Sequence, residues 1–144
     1  MQRMWRRLKN FLVSVSTYAD LSPDMRTKQQ VRQFLRQRSA LSLDDWYIEH
    51  WQAQTISFVV VEFFCIQMSE HTQLEITRVQ PSDRLVADLR LPLICWFDWE
   101  ITFAEAFEET FGVSLGDAFS FDDFETVQDL MLFLDCQLVS INCF

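Results

Sequence analysis

Two glycines and three prolines in 144 residues are too few for the tight turns of a β-sandwich or barrel, which draw on the backbone angles those residues supply. The scarcity points to helices joined by short connections, and the fold class expected is all-α. The glycines, Gly112 and Gly116, cannot make a glycine-rich phosphate loop. There are two histidines, His50 and His71, and neither falls in an HExxH or ExxH arrangement that would set metal ligands on one helix face. The cysteines, Cys65, Cys95, Cys136 and Cys143, include no CxxC pair, which argues against a zinc site or a disulfide framework. They sit in hydrophobic stretches and read as buried thiols of a reducing compartment, so a cytoplasmic location is expected.

Basic residues are also scarce, except at one end. Residues 1–39 hold nine Lys or Arg against Asp20 and Asp24, whereas residues 40–144 hold Arg78, Arg84 and Arg90 against nineteen acids. The net charge of −9 is therefore a basic third joined to a strongly acidic body. Such a body disfavours nucleic acid as partner and favours a basic protein surface. The basic third reads first as neutralising the acidic body, with contact to lipid headgroups or nucleic acid as the alternatives. Its segment MWRRLKNFLVSVSTYA places Trp5, Leu8, Leu12 and Val15 on one helical face, with Arg6, Arg7 and Lys9 elsewhere. The apolar stretch is short and broken by Ser14, Ser16 and Thr17, so it makes a poor signal peptide and does not span a bilayer. That face can pack on the protein body, or residues 1–20 can lie on a membrane surface.

What the chain has in quantity is apolar and aromatic side chains: 49% hydrophobic residues, with 14 Phe and 5 Trp, enough to fill a core and to exclude disorder for most of its length. Ser22–Pro23 reads as a helix start, opening a helix to about Arg38 with Met25, Val31, Phe34 and Leu35 as its apolar stripe. Ser42, with Asp45 three residues on, opens a short helix carrying Trp46, Tyr47 and Trp51. From Ile56 to about His71, Val59, Val60, Phe63 and Ile66 recur at helical spacing, with Phe64 and Met68 beside them. The stretch TQLEITRVQPSDRLVADLR reads as an ordered loop, with a short strand at the alternating LEITRV as the alternative. A further helix runs from about Phe97 to Phe111, with Trp99, Phe103, Ala106 and Phe107 on one face and Gly112 as its stop. Thr126, with Asp129 three residues later, opens a last helix, VQDLMLFLDC, and the apolar tail LVSINCF should pack down.

This order of elements resembles that of an acyl carrier protein. The matching pieces are VVVEFFCIQMSEHTQLEITRVQPSDRLVADL, AEAFEETFGVSL and FETVQDLMLFL, spanning roughly residues 56–137. The resemblance implies a four-helix bundle over residues 56–144, preceded by a basic helical extension over residues 1–55 that packs on it. It also implies that the second bundle helix is the partner-binding element, where carriers set acids against basic patches. Here that region holds Asp98, Glu100, Glu105, Glu108 and Glu109. The same acids can also be an ordinary solvated helix face. Affinity would need an aromatic anchor such as Trp96 or Trp99, although both read first as core side chains.

The departure from the family lies in the Asp-Ser-Leu motif whose serine receives phosphopantetheine. Counting back from Phe111–Gly112 puts that position at Phe97, and counting forward from Asp88–Leu89 puts it at Leu93, a disagreement of one helical turn. No serine occurs between Ser82 and Ser114. No cofactor and no metal are therefore expected. Nor is an enzyme: Cys95 shows no local activation as a nucleophile, and Asp98 with Glu100 is a weak case for paired catalytic carboxylates in so acidic a chain. Three roles remain open: an adaptor or regulator related to acyl carriers, a small acidic inhibitor or immunity-type protein, and a membrane-associated accessory protein.

Overall fold

A computed structural model describes residues 24–142, with side chains over residues 24–139. The proposed N-terminal helix with Trp5, Leu8, Leu12 and Val15, the Ser22–Pro23 start, Cys143 and the tail beyond Val139 lie outside those side chains. Among the described residues the structure is all-helical. Its six α-helices are α1 Met25–Arg36, α2 Leu43–Trp46, α3 Phe58–Thr72, α4 Leu91–Ile94, α5 Trp99–Phe111 and α6 Val127–Asn142. The sole extended pairing among them is an isolated bridge between Arg84 and Thr126. No helix among the described residues is long and apolar enough to cross a membrane.

Local chemistry sets where the helices begin and end. Asp24 caps α1, its carboxylate accepting from the N–H groups of Arg26 and Thr27 at 3.0 and 3.2 Å and from the Thr27 hydroxyl at 2.8 Å. Ser42 caps α2 through the Asp45 N–H at 3.1 Å. That helix continues through a π-helical turn, Tyr47–Trp51, and a 3-10 turn, Gln52–Gln54, stopping at Thr55 in left-handed conformation. Thr126 and Asp129 form a reciprocal capping box at α6, with side chain-to-backbone bonds of 3.1 and 3.3 Å. Gly112, at φ 72°, lets the Gly112 N–H return to the Glu108 carbonyl at 2.7 Å and ends α5.

The core gathers side chains from every stretch of the described chain: Val31, Leu35, Trp46 and Trp51 join Phe64, Leu85, Ile94, Phe103, Phe107 and Leu130 in one buried cluster. Helix α3 lies against both α5 and α6, while α1 lies against α4. The Phe63 ring meets Phe103, Phe107 and Phe111 edge-on, at centroid distances of 5.3, 5.4 and 5.4 Å. The 74–90 stretch is an ordered loop, as expected, because Leu74, Ile76, Val79, Leu85 and Leu89 are buried along it. It is also tied across the fold. The Trp46 indole N–H donates to the Val79 carbonyl at 2.8 Å. Arg38 forks onto the buried carboxylate of Asp83, and Arg38 and Arg78 each donate to the other's carbonyl.

Several expectations need correction. In α1, Met25 and Phe34 are exposed, and Thr27 and Lys28 take inward places beside Val31 and Leu35. In α3 the buried stripe is Val60, Phe64, Met68 and Thr72, with Val61 and Phe63 flanking it, whereas Val59 and Ile66 face solvent. So continuous an apolar run gives periodicity nothing to choose by, and the rings of Phe63 and Phe64 set the inward face. The last helix runs on through the expected tail to Asn142. Cys95 is buried and Cys65 half-buried, but Cys136 is exposed on α6.

Candidate functional site

The approach to α5 is built by a change of direction. Arg90 adopts left-handed geometry, φ 52°, and the four residues Leu91–Ile94 make one helical turn with Pro92 in its first positions. Leu91 and Ile94 enter the core, which turns Leu93 outward. Cys95 is extended and buried, and a turn at Phe97–Asp98, closed by the Trp99 N–H on the Trp96 carbonyl at 3.1 Å, precedes the first residue of α5, Trp99. The helix was expected to begin at Phe97. Its start two residues later separates two tryptophans that continuous helical spacing would have put on one face. Trp99 is 5% exposed and lies 4.0 Å from the Phe121 ring, whereas Trp96 is 50% exposed. Leu93 and Phe97 are exposed as well, at 52% and 46%, so this short stretch of chain carries three exposed large apolar side chains, a ridge along the sequence.

The acids lie beside this ridge. Trp99, Phe103 and Phe107 recur every fourth residue and fix the inward face of α5. Asp98, Glu105 and Glu109, spaced at i, i+7 and i+11, therefore share a single outward stripe, with Glu108 next to it. All four are exposed. Glu100 is set apart: it is half-buried and acts electrostatically on the Cys95 thiol. The ion pairs among the described residues are Arg38–Asp83, Arg78–Glu75 and Arg84–Asp88, so Asp98, Glu105, Glu108 and Glu109 pair with no described cation. Residues 91–144 contain no Lys or Arg at all. His71, at the end of α3, is close enough to Asp98 to feel its charge, but burial pushes the imidazole below its ordinary range, so it adds little positive charge near neutral pH.

Chemically this face offers exposed carboxylates and exposed apolar side chains. Burial pushes the Cys95 thiol up to about 12, the opposite of what a reactive thiolate needs. No group of three or more His, Cys, Asp or Glu side chains among the described residues could hold a metal ion. Sequence reasoning located the acids but did not identify Leu93 and Phe97 as surface apolar groups. The signal that could have found them is Pro92, which marks a separate helical start before α5.

No family model matches the chain, and no curated protein or solved structure matches it.

Proposed function

We propose that this chain is a non-catalytic protein-interaction module, built like an acyl carrier protein that carries no 4'-phosphopantetheine, which serves as an adaptor or regulator by presenting α5 to a basic protein surface. The observation that carries this reading is the junction of the Leu93–Trp96–Phe97 ridge with the Asp98, Glu105 and Glu109 stripe. An interface needs both parts: desolvated aromatic anchors supply affinity, and the charged rim steers the encounter.

The carrier likeness is supported by the sequence of elements around one core: α3, the ordered loop, α5, the short turn Phe121–Asp123 and α6. The one-turn helix Leu91–Ile94 also fits the four-residue surplus between the two counts of the attachment position. The prosthetic group does not fit the residues present. Phe97 and Leu93 have no nucleophilic atom, and the nearest hydroxyl in α5, that of Thr102, is turned back onto the Asp98 carbonyl at 3.3 Å. Phe63 of α3 meets Phe103, Phe107 and Phe111 of α5, and Phe103 also meets Phe119 and Phe121, which favours a packed interior over a lipid-holding one.

Two measurements test the proposal. The intact mass of the protein from its own host should equal that of the unmodified chain; an added phosphopantetheine would overturn the carrier-without-cofactor reading. Affinity capture from the same host should return a basic protein with the wild type. That capture should be lost with Trp96→Ala, weakened by Glu105→Lys with Glu109→Lys, and reduced by salt. Equal capture by all variants would reject the surface. A lipid-synthesis enzyme as the captured partner would favour an adaptor over an acidic inhibitor.

A further inference from the structure

We infer that the outward face of α1 is a separate interaction surface, and that its occupant is the carboxylate row of α5 on a second copy of this chain. The inference does not depend on the partner reading above, although both engage the same carboxylates.

Helix α1 turns one cationic side to solvent. Thr27, Lys28, Val31 and Leu35 are buried, which leaves Arg26, Gln29, Gln33 and Arg36, at i, i+3, i+7 and i+10, as an exposed outward row. The helix contains no acid, and the carboxylate of Asp24 before it is engaged in capping. Neither Arg26 nor Arg36 forms an ion pair among the described residues. Arg90 extends the positive face, its Nη1 donating to the Gln30 side-chain oxygen at 3.4 Å. Outside α1 and Arg90, the described Lys and Arg residues are Arg38, Arg78 and Arg84, and each has a carboxylate partner. Unpaired positive charge in the described fold is thus gathered on α1 and the arginine bonded to it.

The complementary row is on the same chain. Asp98, Thr102, Glu105 and Glu109 are exposed along the outer side of α5, and residues 91–144 hold no Lys or Arg. Arg26 and Arg36 stand about 15 Å apart along α1, and Asp98 and Glu109 about 16 Å apart along α5. Laid side by side in either direction, the two rows set charge against charge at both ends, with polar side chains between. Each row points away from its own core, and no ion pair joins them within the fold, so they meet between copies. A nucleic acid or an anionic bilayer is a poorer occupant. Either extends well beyond so short a strip, onto a chain whose net charge of −9 repels it at distances within about 8 Å. Because every copy offers both rows, association yields a reciprocal pair or an open chain of copies. It also hides the α5 carboxylates, so self-association and capture of a basic partner compete.

Charge reversal on the full-length protein tests this. In low salt, sedimentation velocity should show the wild type passing from monomer to a larger species as its concentration rises, and high salt should return it to monomer. Arg26→Glu/Arg36→Glu should weaken the association by at least about tenfold, and so should Glu105→Arg/Glu109→Arg. An equimolar mixture of these two variants should restore it to within about threefold of the wild type, because each supplies the row that the other has reversed. All four positions are exposed, so both variants should keep the wild-type circular dichroism and urea midpoint. The milder Arg26→Gln/Arg36→Gln should lose the salt-sensitive association as well. A wild type that stays monomeric in low salt would overturn the inference, as would association that the α1 variants leave unchanged, or a mixture that restores nothing. So would binding of a monomeric wild type to duplex DNA or to anionic vesicles that Arg26→Glu/Arg36→Glu abolishes, which would give the face to phosphate. The partner reading stands or falls on Trp96→Ala capture, which none of these variants touches, so the two fail separately.

Discussion

Arg38 and Asp83, 45 residues apart in the chain, close a two-pronged ion pair with N···O distances of 2.5 and 2.8 Å. The carboxylate is almost fully buried and also accepts the Gln80 N–H at 2.8 Å, so it has little water to fall back on. Removing one partner leaves a desolvated charge, while removing both leaves apolar surface. Arg38→Met should therefore lower the unfolding free energy by about 3 kcal/mol in urea titrations. The double variant Arg38→Met/Asp83→Leu should lie closer to the wild type than the single one.

The two tryptophans flanking the start of α5 should behave oppositely. Trp99→Ala removes a ring from the core and should cost about 3–5 kcal/mol. Trp96→Ala should cost much less than Trp99→Ala, because Trp96 is half exposed. Comparable losses for both would mean that the ridge is part of the core.

His71 should make stability depend on pH on the acid side of neutrality. Burial depresses it from its ordinary value of 6.5, against smaller opposing pulls from Glu70 and Asp98, and its Nε2 is buried without a partner. The folded state thus keeps the imidazole neutral where the unfolded state takes up a proton. The stability from that neutral form is complete above about pH 6.5 and is lost as the pH falls towards the lower folded value. His71→Gln should flatten the change in urea midpoint between about pH 7.5 and about pH 5.5.

Thiol reactivity should rank by burial. With iodoacetamide at neutral pH, peptide-resolved mass spectrometry should find Cys136 alkylated well before Cys65, whose thiol burial pushes up, and Cys95 last, after unfolding. Early modification of Cys95 would show that the approach to α5 opens in the native state.

The helix ends were the most legible feature of the sequence. Ser42, Thr126 with Asp129, and Gly112 act through short-range bonds to their own backbone neighbours, and all three sit where their residue types place them. The inward faces were legible only where polar residues break the pattern, as in α5. In α3 the run Phe58–Met68 holds Glu62 and Gln67 as its polar members, and tertiary packing alone decides that Val61 goes in and Val59 out. Lys28 could not have been placed in the interior from sequence, since a buried ammonium is stable only with a partner such as the side-chain amide oxygen of Gln73, 45 residues away. The same holds for the candidate site. Its acids can be found by counting along α5, but its apolar side chains are exposed where the backbone bends at Cys95 and turns at Phe97–Asp98, which no periodicity announces.

The three edge-on contacts of Phe63 hold α5 in fixed register with α3: sliding or rolling the helix would unseat Phe103, Phe107 and Phe111 together. The outer stripe is therefore presented as a rigid template, its carboxylates already spaced before anything arrives. Under the proposed function, a partner meeting it would have no ordering entropy of the helix to offset, and recognition would depend on whether the partner's own cations match that fixed spacing.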